Sequence, residues 1–165
     1  MKAFCIALAA SASMLAATAA WAQTAYTIPT LVDNAGPFAD LSKRLTSRNT
    51  VLKWWSDTKG KELGVTLTAK DYDTRYDPSV VASLWPGILS ENNPILAMGL
   101  GGSDVAALQQ RLPTDKVPVI YAPPGYGYAW LPDQWLFNVR PTYAHEWPAG
   151  LRWFIDQNPD KRPVK

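Results

Sequence analysis

From residue 27 to residue 157 the chain alternates between two periodicities, and this alternation limits its fold more than any single motif. Short β-branched or apolar runs at 27–33, 65–70, 95–98 and 117–122 read as strands. Between them, apolar residues return every three or four positions, as on one face of a helix. The first such stretch runs from Leu41 through Leu45, Leu52 and Trp55, with Val51 beside them, and Lys59-Gly60 predicts its end. The second opens at Pro78 with Val80, Val81, Leu84 and Trp85, and Pro86-Gly87 predicts a break inside it. The third is capped by Ser103 and carries Val105, Leu108 and Leu112. A long loop at 123–134 precedes the fourth, at 143–157, where Trp147, Leu151, Phe154 and Ile155 point inward and Pro148 marks the regular start. The order βαβαβαβ, then a loop and a helix, predicts an α/β fold: a parallel β-sheet with helices on both faces. Ligands of such sheets bind at the carboxyl ends of the strands, which selects the loops 33–38, 99–103 and 122–128.

A targeting segment precedes this pattern. Met1-Lys2 is a short positive start, residues 3–19 are an Ala-rich apolar run, and Ala20-Trp21-Ala22 is a small-x-small cleavage pattern. Residues 1–22 are therefore predicted to be a secretory signal peptide, which places the product in the periplasm. The run is too short and too weakly apolar for a membrane anchor. Cleavage before Gln23 leaves 143 residues, enough for one domain with a core. It removes Cys5, the sole cysteine, so the processed chain has no disulfide, thiol nucleophile or thiolate metal site. It also removes Lys2, leaving 15 basic side chains against 14 acidic ones. That near-neutral balance excludes a strongly basic nucleic-acid binder, and no nucleic-acid partner is expected.

The candidate ligand contacts lie on two of the selected loops. Gly101, Gly102 and Ser103 follow a strand and open a helix, so backbone N–H groups and a hydroxyl face outward beside the positive end of the helix dipole. A carboxylate or amide oxygen suits such a loop, as does a plain tight turn with a helix cap. Pro124, Gly125 and Tyr126, in the stretch Pro123-Pro124-Gly125-Tyr126-Gly127-Tyr128, supply a stiff, apolar second wall. Tyr126, Tyr128, Trp130 and Trp135 equally suit packing on one another as a loop core.

Several segments together resemble the branched-chain amino-acid-binding family of periplasmic ABC-transporter receptors, the Leu/Ile/Val-binding-protein-like or type I periplasmic binding fold. Gly36-Pro37-Phe38-Ala39 resembles the family's turn after the first strand. The run Asp71-Tyr72-Asp73-Thr74-Arg75-Tyr76-Asp77-Pro78, followed by Val81-Ala82, resembles its Asp-rich loop and Asp-Pro helix start. Residues 95–103 resemble the strand and Gly/Ser loop at its ligand site, and Phe137-Asn138-Val139-Arg140-Pro141 its Phe-x-Arg segment. The resemblance implies a solute-binding receptor that closes on a small amino acid, amide or carboxylate and delivers it to the membrane permease of an ABC transporter. It implies that Ser103 and the Gly101-Gly102 backbone hold the ligand's carboxylate. The loop at 122–128 departs from the pattern, having no Thr to meet an ammonium group. The resemblance also implies that residues 23–165 are the N-terminal lobe, with the second lobe absent and the chain truncated.

Enzyme chemistry finds little footing. His145 is the sole histidine, and with no cysteine after cleavage no zinc spacing exists. Gly101-Gly102-Ser103-Asp104-Val105 lacks the closing Gly of a nucleophile elbow, and 99–104 lacks the third Gly of a dinucleotide fingerprint. Asp71, Asp73 and Asp77 mimic a calcium loop, but Arg75 stands at the third ligand position and Ala82 where a Glu is needed. No enzyme activity, metal or cofactor is expected. The alternative is a secreted α/β interaction module whose aromatic face, from Tyr126 to Trp153, binds a macromolecule.

Overall fold

The structure, a computed structural model, describes residues 23–45, 47–121 and 132–160. The predicted signal peptide, the loop holding Pro124, Gly125 and Tyr126, and residues 161–165 lie outside the described residues. Strand β1 (Thr24–Val32) leads into helices α1 (Ala39–Leu45) and α2 (Ser47–Trp55), a π-helical turn (Ser56–Gly60) and α3 (Lys61–Leu63). Next come β2 (Val65–Asp73), α4 (Pro78–Asn92), β3 (Ala97–Met98), α5 (Gly102–Leu108) and α6 (Leu112–Asp115). Strands β4 (Val119–Tyr121) and β5 (Leu136–Asn138) and helix α7 (Tyr143–Gln157) complete the described chain. The five strands form one sheet in the order β2-β1-β3-β4-β5, and every pairing is parallel.

Register follows from burial. β1 lies between β2 and β3, so both of its edges are paired, and Ile28 through Val32 are buried without alternation, as in a strand covered on both faces. β2 pairs with β1 along its whole length, from Thr24 opposite Val65 to Val32 opposite Asp73, and as an edge strand it stays partly exposed. The main core joins Leu31 of β1 to Val81, Trp85 and Ile88 of α4, Val105 and Leu108 of α5, Leu112, Val119, Tyr121 and Leu136. Trp85 is its largest fully buried side chain. Its indole N–H donates to Asp115 Oδ2 at 2.8 Å, so the ring is buried without an orphaned donor.

Six local expectations are corrected. Gly60 does not end the first helical stretch. It is buried inside it because β2 passes so close that a side chain there would collide with the Val65 carbonyl. The stop is Gly64, left-handed at φ 67°, whose N–H closes onto the Lys61 carbonyl. Pro86 does not break α4: it lies with Gly87 on the exposed side, where the carbonyl that loses its partner is open to solvent, while Trp85 and Ile88 anchor the buried side. Ser103 is not the cap of α5, since Gly101 takes that position and Ser103 lies in the first turn. β5 is an additional strand; only three residues long, it arises from pairing with β4 and has no readable alternation. Helix α7 starts at Tyr143, after Thr142, and runs through Pro148. Its residues Trp147, Leu151, Phe154 and Ile155 do not point inward; all four are exposed, and α7 buries none of its residues.

Candidate functional site

The chain leaves β1 for β2 on one side of the sheet, then returns to β3 on the other. Strand order therefore reverses between β1 and β3, and in sheets of this kind the crevice that takes a ligand lies at the carboxyl ends beside such a reversal. Three loops meet there.

The first follows β1. Asp33, fully buried, accepts from the N–H of Gly36 at 2.5 Å and of Phe38 at 2.7 Å, while its own N–H donates to Ser42 Oγ. This turn places the Phe38 ring at the rim. The second follows β2. Thr74 is buried, and both its N–H and its hydroxyl donate to the Val32 carbonyl, which ties the two loops together. Arg75 and Tyr76 then adopt left-handed backbones at φ 52° and 55°, uncommon for side chains of this size. The turn carries the Tyr76 ring across the crevice, edge-on to Phe38 at 4.5 Å between centroids.

The third loop follows β3, and Tyr76 reaches it: the Gly102 N–H donates to Tyr76 Oη at 3.1 Å. A side chain on Gly101 would sit 3.2 Å from that oxygen, so the glycine pair leaves space for the tyrosine. Asp104, also buried, turns back on the loop. Its Oδ2 accepts from the N–H of Leu100 at 2.5 Å and of Gly101 at 3.1 Å, and its Oδ1 accepts from the Ser103 hydroxyl at 3.4 Å. Three N–H groups of this loop are thus paired within the chain.

Gly101, Gly102 and Ser103 stand together at the crevice, with Gly101 and Ser103 buried and Gly102 half-buried. Sequence reasoning did not single out Tyr76 or Asp104. Tyr76 lies in an acidic stretch read as a polar loop, and Asp104 shows only as a first-turn acid. The three acids of that stretch serve the backbone and the neighbouring strand. Asp71 is hydrogen-bonded to Thr30, Asp73 accepts from the N–H of Asn34 and Arg75, and Asp77 caps α4 through the Ser79 N–H. Among the described residues no group of His, Cys, Asp and Glu side chains is placed to hold a metal, and no helix is long and apolar enough to cross a membrane. His145, at the start of α7, is hydrogen-bonded to Thr142 Oγ1 at 2.8 Å.

Burial pushes the Asp104 carboxyl above its ordinary 3.8; its hydrogen bonds with Leu100, Gly101 and Ser103 and the nearby Arg48 charge offset this in part. Between 3.8 and the raised folded value, the native state keeps a proton that the unfolded chain has lost. Stability must then fall as pH rises through that window. Asp104→Asn cannot titrate but keeps an oxygen for the two N–H groups. Its stability relative to the parent is expected to rise with pH across the window, as read by urea unfolding from below pH 3.8 to neutrality. A constant difference would mean that Asp104 does not hold its proton there.

A parallel sheet whose order reverses between β1 and β3, with three loops converging on the reversal point, defines a doubly wound α/β domain. Sequence comparison is more specific: the chain belongs to the periplasmic binding protein family, whose profile matches residues 25–164. This does not favour the interaction-module reading. Among curated proteins, no sequence match is found. Solved structures share the fold. A fatty acid ABC transporter substrate-binding protein from Thermomonospora curvata superposes with a TM-score of 0.71 at 24% identity, covering 84% of this chain and 35% of its own. A branched-chain amino acid ABC transporter protein from Thermus thermophilus, with bound valine, gives 0.71 at 14%, covering 82% and 36%. A possible leucine/isoleucine/valine-binding protein from Rhodopirellula baltica gives 0.66 at 19%, covering 86% and 38%. The chain thus spans little more than a third of the length of each of these structures.

Proposed function

We propose that this chain is the first lobe of a solute-binding receptor, exported to the periplasm, that hands a small ligand to the permease of an ABC importer. The carrying observation is the junction of Phe38, Tyr76 and Gly102 at the reversal point of the sheet. The ligand class is a small amino acid, an amide or a carboxylate, contacted by Gly101, Gly102 and Ser103 and by the loop containing Pro124, Gly125 and Tyr126. The names of the similar structures support this range, since one specifies fatty acid and another valine. The pairing of the loop refines the reading. The Leu100 and Gly101 N–H groups are occupied by Asp104, so a ligand oxygen gains the Gly102 N–H by displacing the Tyr76 phenol.

Receptors of this type enclose the ligand between two walls, so residues 23–165 alone should bind weakly. L-valine, valinamide and octanoate titrated into the processed chain, followed by amide chemical shifts, should move the Gly102 N–H first. Tyr76→Phe should tighten the responding ligand by about two- to twelvefold, because one competing hydrogen bond, worth about 0.5–1.5 kcal/mol net, is removed. Tight binding by the single lobe would contradict the enclosure argument. No response to any of the three, alone or with a second lobe supplied, would remove the receptor reading.

A further inference from the structure

Helix α2 fully buries none of its residues, yet its first turn sends a cation in over the carboxyl end of β1. Arg48 is half-buried, and its Nη2 donates at 3.3 Å to the carbonyl of Leu31, the next-to-last residue of the strand. Its Nε–H is buried and has no hydrogen-bond partner among the described residues. An unpaired buried donor on a charged group is costly, so packing alone does not account for a guanidinium here. Burial pulls Arg48 below its ordinary range, and the charges of Asp71 and Asp104 offset this in part. Strand register brings those two carboxylates to it. Thr30, beside Leu31, pairs with Asp71 of β2 on one side and with Met98 of β3 on the other. The Thr30 hydroxyl is also hydrogen-bonded to the Asp71 carboxylate. After Met98 comes Gly99, where a side chain would stand only 3.1 Å from Asp104 Oδ2. Arg48 thus lies over the middle one of three parallel strands, with a carboxylate reaching it from either side.

We propose that Arg48 is a positioning residue of the ligand site: it ties down the end of β1, faces the Asp104 carboxylate with its charge, and through Asp104 fixes the 99–103 loop. It touches no ligand itself. The inference takes the ligand site from the receptor reading above. Asp104 is the link, because it alone holds the Leu100 and Gly101 N–H groups and accepts from the Ser103 hydroxyl. Arg48 is the charge that acts on Asp104, and it favours the ionised carboxylate against the effect of burial. Without that cation, Asp104 keeps its proton to higher pH. A neutral carboxyl is a weaker acceptor than a carboxylate, so the loop N–H groups are then held less firmly.

The test follows the Asp104 carboxyl carbon and the Leu100, Gly101 and Gly102 amides of the processed chain by NMR as pH is raised from acid to neutral. Arg48→Met should move the Asp104 midpoint up by about 1 unit, the low end of the effect of a close opposite charge, and the three amides should inflect with it. Arg48→Lys, which keeps the charge, should hold the midpoint within about 0.3 unit of the parent. In an Asp104→Asn background, Arg48→Met should leave the pH profile of the loop amides unchanged, because the pair is already broken. Ligand binding is compared at a pH between the parent and Arg48→Met midpoints, with L-valine, valinamide and octanoate. Whichever of them moves the Gly102 amide in the parent should bind about three- to tenfold more weakly to Arg48→Met, and Arg48→Lys should recover most of the loss. If Arg48→Met does not fold, Arg48→Gln, neutral but still a donor, carries the same expectations. An unmoved Asp104 midpoint in the neutral variant overturns the proposal. So does a moved midpoint with the loop amides and ligand response unchanged. Failure of the receptor reading looks different: none of the three ligands moves Gly102 in the parent, while the Asp104 midpoint and the loop amides still decide whether Arg48 holds the loop.

Discussion

Trp85→Ala is expected to lower the unfolding free energy of the processed chain by about 3–5 kcal/mol, the usual cost of emptying a large aromatic site in a core. Trp85 is fully buried at the centre of the main core, among residues from β1, α4, α5, α6 and the later strands. Its removal leaves a cavity that rigid neighbours close only in part. It also strips Asp115 of one of two donors, leaving the Arg111 Nε–H at 2.9 Å. A domain of this size commonly has only about 5–15 kcal/mol of stability, so the variant should sit close to its unfolding midpoint under mild denaturant. Trp85→Phe, which keeps most of the volume but loses the N–H, should cost clearly less. Urea unfolding of both variants checks the pair; a loss below about 1 kcal/mol for alanine would mean that Trp85 is not the core's main filler.

Gly36→Ala should have the next largest effect, about 1–3 kcal/mol from overpacking, and it should reach the junction of loops at the reversal point of the sheet. An added Cβ at Gly36 would stand 2.5 Å from the Arg75 carbonyl and 2.5 and 2.8 Å from the two Asp33 carboxylate oxygens. Neither neighbour has freedom to retreat. The Asp33 carboxylate holds the Gly36 and Phe38 N–H groups, and Arg75 belongs to the left-handed pair that carries Tyr76. Relief of the clash must therefore part the β1 loop from the β2 loop and separate Phe38 from Tyr76. The Gly102 amide resonance reports this directly, because its acceptor is Tyr76 Oη. An unchanged Gly102 resonance together with wild-type stability would show that the two loops are not coupled through Gly36.

Parts of this arrangement are legible in the amino-acid sequence. The positions of the first four strands and the helix start at Asp77-Pro78 follow from local chemistry. Proline fits the first helical turn, and Asp77 caps its neighbour through the Ser79 N–H. The loop at 99–103 is legible as a candidate site because it follows a strand and opens a helix. Other features are not. Pro86 reads as a helix breaker until the exposed side of α4 is known, and Gly60 reads as a stop until β2 is seen passing beside it. β5 is too short to carry a period and exists because β4 offers an edge. The donors assigned to a ligand at Gly101 and Gly102 are taken by Asp104 and Tyr76, and Tyr76 is 26 positions away from Gly102 in the chain.

The sequence by itself determined the class of fold, since alternating periods of two and about four, punctuated by Gly and Pro, are local properties that leave a parallel α/β sheet as the consistent arrangement. It also determined that the fourth helix has an apolar side. Only the tertiary structure decided which loops meet, because strand order depends on crossovers between distant segments. Only it decided that the apolar side of α7 lies uncovered. Periodicity records that a face is apolar; which surface the chain brings against it is a matter of packing.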